Sequence, residues 1–336
     1  MTKYIVRRLF QAIIALFMLS VLLFIWLRSL PGGPVSALLG ERSTPADREA
    51  LERALGLDQP IFVQYWRFLT RALSGDFGTS TFVAPGQDAL DVFLARLPAT
   101  VELSAFALLI AVTLAIPIGY IAARKRGRPL DTGAVMFSLI GVAVPVFFLA
   151  FVLRDVFAVN LGWLPASGRS TVGINSTNVT GLFVLDGLLT REWDAAWDAF
   201  KHLILPALAL ASIPFAVIFR ITRASVLDVL DEDYVRTARA KGLTSQVIRV
   251  RHILRNALIP VVTIVGLQIG ALLAGAVLTE RVFSIRGVGD ALARGFEQRD
   301  YPVLQVLIMM AALIYIVVNL LVDIAYAVID PRVRAK

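Results

Sequence analysis

The feature that most limits how this chain can fold is a series of apolar runs, each about 20 residues long. A helix needs roughly 20 apolar residues to cross the hydrocarbon layer of a membrane, and a soluble core cannot enclose so many such runs. Hydrophobic residues make up 57% of the chain, which supports the same interpretation. We therefore predict an all-α integral membrane protein with six transmembrane helices. The predicted spans are about residues 9–27, 100–123, 132–156, 202–221, 257–278 and 303–329.

The first run follows a basic N-terminus, KYIVRR at residues 3–8. A signal peptide has a similar charge pattern, but its apolar core is usually only about 7–15 residues long and precedes a small-residue cleavage site. Here the run is longer and ends at Trp26 and Arg28, residue types that anchor helices at membrane interfaces. We predict that residues 1–30 form a tail and an uncleaved first transmembrane helix.

The net charge of +8 is concentrated in segments that would all lie on one side of a six-span protein. Lys and Arg accumulate in cytoplasmic loops, so both termini are predicted to be cytoplasmic. Membrane orientation and residues 231–255 thus account for the basic charge, so membrane lipid is an expected partner and nucleic acid is not. The basic segments are residues 3–8, 124–128, 236–255 and 332–336.

The polar segment 31–98 is too long to be a simple connector. We predict that it contains a short helix near residues 46–54 and folds as an extracytoplasmic cap against the later outer loops. Contact with a partner is an open alternative. Residues 99–329 are predicted to be the membrane core, and residues 330–336 a cytoplasmic tail.

Residues 231–255, DEDYVRTARAKGLTSQVIRVRHILR, are a highly charged stretch between two apolar runs, named here the charged segment. Acidic residues begin it and basic residues precede Gly242, a pattern typical of a short helix that ends at a left-handed glycine. Thr244 or Ser245 can then cap a second helix that continues into the next apolar run. The pattern predicts a helix, a glycine turn and a second helix that together dock on another protein.

Two features within the apolar runs bear on helix packing. Pro206 and Pro214 are predicted to interrupt the fourth span, either beside a pathway or as a simple packing kink. Gly266, Gly270 and Ala274 recur at a spacing of four in the fifth span, which allows another helix to approach closely.

The sequence contains no pattern for catalysis. Phosphate-binding loops, zinc-hydrolase motifs and nucleophile elbows are not found, and the chain has no cysteine. His202 and His252 have no evident partner nearby in sequence and are interpreted as structural. We predict no catalytic residue and no metal site. An ion-coupled secondary transporter that works without ATPase subunits is an open alternative, although no internal repeat supports it.

Within the charged segment, DYVRTARAKGL at 233–243 and RHILRNALIPVVT at 251–263 resemble the coupling region of the permeases of binding-protein-dependent ATP-binding-cassette importers. The chain is most similar to the B-type subunit of the dipeptide/oligopeptide branch, and the likeness extends over nearly its whole length. The wider superfamily begins this motif with Glu-Ala-Ala, where this chain has Arg236-Thr237-Ala238. Further matching stretches are LGLDQP, GDFGTS, RLPAT, LGWLPASG, VFSIRGVGDAL, RDYPV and DPRVR.

The resemblance implies the type I importer permease fold in a bacterial inner, or cytoplasmic, membrane. It implies a pathway for di- or oligopeptides shared with a second permease subunit of the C type. It also implies an extracytoplasmic substrate-binding protein and two ATPase subunits, or one fused ATPase, which would bind ATP and Mg²⁺. This chain itself would bind no cofactor.

The same resemblance implies that the first helix of the charged segment lies in a groove of an ATPase subunit. Tyr234, Thr237, Ala238 and Lys241 are predicted to share one face, where the small Ala238 permits close approach. Glu232 and Arg236 are four residues apart, so they are predicted to pair. The full set of predicted coupling residues is Tyr234, Arg236, Thr237, Ala238, Lys241, Gly242 and Leu243.

Overall fold

The computed structural model describes residues 2–29, 35, 39, 44–54 and 56–329, and the regular secondary structure of these residues is helical. No β-strand forms within these ranges, where pairing is limited to one isolated bridge between Thr79 and Asp88. The predicted all-α class is therefore confirmed for the part of the chain that is described. The helices are α1 Thr2–Ser29, α2 Pro45–Ala54, α3 Ile61–Leu73, α4 Ala89–Arg124, α5 Pro129–Ala143, α6 Val146–Leu153, α7 Phe183–Leu189, α8 Trp193–Leu230, α9 Asp233–Ala240, α10 Arg255–Val282, α11 Val288–Gln298 and α12 Tyr301–Ile329.

Five continuous stretches are long and apolar enough to cross a membrane. A sixth candidate consists of Pro129–Ala143 and Val146–Asn160, which are bent by 104° relative to each other. The prediction of one helix over 132–156 is thus wrong at Pro145. Proline has no N–H and disfavours helical geometry in the residue before it, and Val144 accordingly has an extended backbone, φ −82° and ψ 125°. The five continuous stretches are Val6–Ser29, Ala89–Arg124, Trp193–Leu230, Ser245–Leu273 and Tyr301–Val322.

Contacts between residues divide the chain into two compact units. The first consists of Met1–Pro98 and Arg286–Ile316. Its loop 80–83 is fixed by Asp300, whose Oδ2 accepts hydrogen bonds from Ser80 Oγ at 2.7 Å and from three backbone N–H groups at 2.9–3.1 Å. Within the predicted segment 31–98, residues 80–83 thus contact a later loop, and the predicted short helix is α2. The amphipathic helix α3 and the early start of α4 at Ala89 were not predicted.

The second unit, Ala99–Ile285 with Val317–Lys336, is built around α8. On α4, Ala107, Ala111 and Ala115 are fully buried, and Gly119 continues this spacing of four. A Cβ at Gly119 would lie 3.1 Å from the carbonyl oxygen of Phe219 in α8. At Gly119 the two helices thus approach closely, and this contact was not predicted.

The fourth span is part of one helix, α8, which runs through both prolines from Trp193 to Leu230, and the pathway and kink alternatives stay predictions. Pro206 and Pro214 are both buried inside the unit. The expectation that His202 has no partner nearby is wrong, since its Nδ1 lies 2.9 Å from the backbone oxygen of Asp198, four residues earlier.

In α10, Gly266 and Gly270 are buried. A Cβ at Gly266 would overlap the side chain of Val322 in α12, so close approach here depends on glycine. The side chain of Ala274 and the predicted tail at residues 330–336 lie outside what the structure describes.

Residues 161–192 are held in place by hydrogen bonds to buried carboxylates of the second unit. This segment is named here the carboxylate-rich loop after the carboxylates that hold it. Glu102 accepts hydrogen bonds from Arg169 Nη2 at 2.6 Å and from Val184 N at 2.8 Å. Asp186 accepts three bonds from the backbone N–H and hydroxyl of Thr180 and the N–H of Gly181, at 2.6–3.0 Å. Burial alone would raise the pKa of Asp186, but these hydrogen bonds outweigh it and lower the pKa below its ordinary value.

Candidate functional site

The first part of the charged segment is the helix α9, Asp233–Ala240. It begins after Glu232, whose backbone is extended, with φ −70° and ψ 141°. It ends at Lys241, and Gly242 follows in the left-handed region with φ +74°. Residues with a Cβ are strained in that region, whereas glycine is not. The predicted helix and glycine turn are therefore confirmed.

The second part starts at Thr244, the first of the two predicted caps. Its side chain accepts a hydrogen bond from Val247 N at 3.5 Å. A short α-helical turn leads into a π-helical stretch, Ile248–Leu254, and this passes into α10 with helical backbone angles throughout. The segment is thus joined to α10 without a flexible linker.

The base of the charged segment is an apolar cluster. Val235 and Ala238 of α9 are 0% and 4% exposed, and they pack with residues from three long helices. Ala238 therefore does not share an outward face with Tyr234, Thr237 and Lys241, and that part of the prediction is wrong. Its small side chain permits close packing against this chain's own helices. The cluster consists of Tyr120 and Ala123 of α4, Val226 of α8, Val235 and Ala238 of α9, Ile248 and Ile253 of the π-helical stretch, and Ala257 of α10.

The outer surface of the charged segment holds the other predicted coupling residues. Tyr234 is exposed, and its hydroxyl accepts a hydrogen bond from Asn256 Nδ2 at 3.0 Å, which links α9 to α10. The predicted pair of Glu232 and Arg236 is replaced, because Arg236 Nη1 lies 3.6 Å from Asp233 Oδ1. The exposed residues are Tyr234, Arg236, Thr237, Lys241, Gly242 and Leu243.

An ion pair next to this base was not predicted from the sequence. Arg223 of α8 donates two hydrogen bonds to Asp131 at the start of α5, at 2.6 and 2.8 Å. Asp131 also accepts from Gly127 N at 2.9 Å, so it fixes the turn of the basic loop 124–128. The available signal was an acidic residue in the first turn of a helix that begins with Pro129, immediately after a basic run.

The exposed side of the charged segment is largely polar. Among the described residues, no cluster of His, Cys, Asp or Glu is placed to hold a metal ion. The surface is a short helix with exposed basic and polar side chains, fixed through its apolar side to the ends of α4, α8 and α10.

Comparison with known families assigns the chain to a family over nearly its whole sequence. Residues 115–335 match the family described as binding-protein-dependent transport system inner membrane component. Residues 1–104 match the N-terminal region of the same class of membrane component. The chain belongs to this family. Within it, the chain is a dipeptide/oligopeptide ABC permease by similarity over its full length.

Three relatives illustrate that similarity. The di/tripeptide transport system permease protein DppB of Pseudomonas aeruginosa (strain UCBPP-PA14) is 45% identical, over 99% of each chain. The dipeptide transport system permease protein DppB of Escherichia coli (strain K12) is 42% identical, over 100% of each chain. The dipeptide transport system permease protein DppB of Alkalihalophilus pseudofirmus is 40% identical, over 99% of this chain and 100% of the relative. The ion-coupled alternative is not favoured by this family.

Proposed function

We propose that this protein is the membrane-spanning permease subunit of an ATP-binding-cassette importer. It forms half of a pathway for di- or oligopeptides and is driven by ATPase partners. The observation that carries the proposal is the charged segment, whose exposed outer surface is joined rigidly to the ends of three long helices. This arrangement suits a part that receives force from another protein.

The transmission of movement follows from the packing of the base. The interiors of proteins are close-packed and deform little, so α9 moves together with the side chains it touches. Those side chains belong to α4, α8 and α10, and each helix continues into a candidate span. Closure of an ATPase pair on ATP would then displace α9 and tilt these three helices.

The partners follow from the family and from the names of the relatives. The substrate class rests on relatives named for dipeptide and di/tripeptide transport. A second permease subunit of the C type would complete the pathway, and an extracytoplasmic binding protein would deliver the peptide. ATP and Mg²⁺ would bind to two ATPase subunits or to one fused ATPase. In this topology the bent pair α5 and α6 makes one span, both termini are cytoplasmic, and the protein lies in the bacterial inner membrane with the type I fold.

Site-directed crosslinking tests the coupling role. The chain has no native cysteine, so an introduced cysteine is the only one in this chain that can react. Thr237 is exposed on the outer side of α9, so Thr237→Cys is expected to crosslink to an ATPase subunit of the assembled transporter. The matched control is Val172→Cys, fully exposed in the carboxylate-rich loop of the same unit. The proposal fails if Thr237→Cys forms no product with the ATPase, or if the control forms as much.

Transport assays test the importer itself. The purified chain alone is expected to hydrolyse no ATP, and peptide uptake into vesicles is expected to need the ATPase subunits, ATP and the binding protein. Uptake by the chain alone under an ion gradient would contradict the proposal and support the ion-coupled alternative.

A further inference from the structure

The first unit contains a basic cavity of about 580 Å³ that the coupling mechanism does not use. Five arginines line it against a single acidic side chain, an imbalance that attracts an anion. Arginine is well suited to this role because its planar guanidinium can donate two parallel hydrogen bonds to a phosphate or a carboxylate. The charged lining residues are Arg28, Arg53, Arg67, Arg71, Arg299 and Asp76.

The arginines differ in how far their charge is already compensated. Arg71 makes a two-bond pair with Asp76 at 2.9 and 3.0 Å. Arg28 donates to the neutral Gln64 at 2.9 Å and lies 3.7 Å from the centre of the Phe24 ring. Among the described residues, neither Arg28 nor Arg67 has a carboxylate within 4.0 Å. These two cations are the strongest candidates to bind an added anion.

A buried hydroxyl on a residue that lines the cavity gives an independent indication of a ligand. Tyr301 lines the cavity and is only 6% exposed. Its hydroxyl has no hydrogen-bond partner in the part of the chain that the structure describes. A buried polar group without a partner is unfavourable, and an anion oxygen in the cavity would provide the missing acceptor.

The position of the cavity indicates where its anion comes from. Arg28 lies in the last turn of α1, and Tyr301 is the first residue of α12. Both helices are candidate spans, so the cavity lies where two apolar stretches end. In a bilayer this is the level of the lipid headgroups.

The helix α3 has the side-chain arrangement of an interfacial helix. Phe62, Trp66 and Leu73 are 71%, 65% and 81% exposed, and at 100° per residue they lie within about 40° of one another. Arg67 and Arg71 face the cavity from the other side of the helix. A helix with one exposed apolar side and one cationic side binds at the boundary between headgroups and acyl chains.

We propose that this cavity binds the phosphate group of an anionic lipid headgroup. Arg28 and Arg67 hold the phosphate, Tyr301 donates a further hydrogen bond, and the apolar side of α3 lies among the acyl chains. An anionic lipid is favoured over a zwitterionic one because the lining arginines outnumber the acid. The site differs from the charged segment and does not depend on the coupling mechanism.

Native mass spectrometry of the assembled transporter tests the proposal. The probes are phosphatidylglycerol and phosphatidylcholine, each titrated against the detergent-purified complex. Phosphatidylglycerol is expected to be retained at least about tenfold better, and the double variant Arg28→Gln/Arg67→Gln is expected to lose this preference. The control is Arg48→Gln, which makes the same Arg→Gln change once, on an exposed helix residue outside the cavity. A size-exclusion profile and melting temperature like those of the wild type show that each variant is assembled.

Four outcomes would overturn the proposal. The first two are equal retention of the two lipids, and equal retention of phosphatidylglycerol by the double variant and the Arg48→Gln control. The third is binding of inorganic phosphate without any lipid preference, and the fourth is crosslinking of Arg67→Cys to the binding protein in place of lipid. A double variant that does not assemble is replaced by Tyr301→Phe, which removes only the hydroxyl and is expected to weaken lipid retention about threefold.

Discussion

The carboxylate-rich loop and the charged segment belong to the same unit but are stabilised in different ways. The loop is held by Glu102 of α4 and by its own Asp186, which are buried and accept directional hydrogen bonds from side chains and backbone N–H groups. In the charged segment, the charges lie outside, and Arg236 reaches Asp233 only through an exposed contact of 3.6 Å. The position of the charged segment is fixed by the apolar cluster beneath α9.

The difference shows how one unit can contain a region whose polar groups are already hydrogen-bonded and a region whose polar side chains remain exposed. Hydrogen bonds to a buried carboxylate fix a loop but leave few polar groups for a partner. An apolar base fixes a helix as a rigid body and leaves its outer side chains available. Substitutions on the two surfaces are expected to differ accordingly.

Introducing a charge into the base is expected to have the largest effect. Val235→Asp would place an unpaired carboxylate in the apolar cluster, so we expect a loss of about 4 kcal/mol in the free energy of unfolding. The control Thr237→Asp adds the same charge on the exposed side and should change stability by less than about 0.5 kcal/mol. Melting temperatures of the purified transporter give the comparison, and equal values for the two variants would contradict an apolar base.

Breaking the adjacent ion pair is expected to have the next largest effect. Asp131→Ala leaves Arg223 without its partner, and we expect a loss of about 3 kcal/mol in the free energy of unfolding. The loss is not larger because Arg223 is partly exposed. Removal of both side chains should cost less than the sum of the single losses, because no uncompensated charge remains. A double-mutant cycle of thermal unfolding measures this coupling, and strict additivity would exclude it.

The carboxylate-rich loop is expected to depend on pH. Asp186→Asn removes the charge that accepts three hydrogen bonds, so we expect a loss of about 2 kcal/mol near neutral pH. Because folding lowers the pKa of Asp186, this stabilisation is fully present above the unfolded pKa of about 3.9 and is lost as the pH falls through the folded pKa.

The measurement is the melting temperature of the wild type and of Asp186→Asn between pH 7 and pH 3. The difference between them should shrink below about pH 4. Asp194→Asn, at an exposed position in the first turn of α8, is the control and should show little difference at any pH. A constant gap for Asp186→Asn would mean that its ionisation does not stabilise the loop.

The glycine turn is expected to show the smallest effect. A Cβ at Gly242 meets no atom within 4 Å, so substitution there acts only through the left-handed backbone. We expect Gly242→Val to cost about 1–2 kcal/mol, and Gly242→Asn to cost less, because Asn tolerates this conformation. Hydrogen exchange of the amides in residues 233–254 detects the local loss. Gly133→Ala, at an open position in α5, is the control and should not accelerate exchange.

Much of the charged segment could be predicted because its signals are local. The end of α9, its left-handed glycine and the Thr244 cap each depend on residues a few positions apart. The direction in which Ala238 points could not be predicted. Ala238 could lie on the inner or the outer side of this short helix. The choice depends on packing against residues such as Tyr120, which is distant in sequence.

The same limit applies to the rest of the fold. The pairing of Arg223 with Asp131 and of Arg169 with Glu102 joins residues separated by 92 and 67 positions, respectively. No periodic pattern marks such pairs. The packing of Gly119 against α8 was missed for a similar reason, because a small residue shows what it permits only when its neighbour is known.

The helical class, the stretches long and apolar enough to cross a membrane and the charged helix with its glycine turn are readable from the sequence, because they depend on the length and spacing of residues along the chain. The bend at Pro145 is also local in origin, although its angle of 104° was not predicted. The inward direction of Ala238 and the five arginines around one cavity are known only from the three-dimensional fold. They arise from contacts between residues far apart in sequence, where packing and charge determine which arrangement is stable.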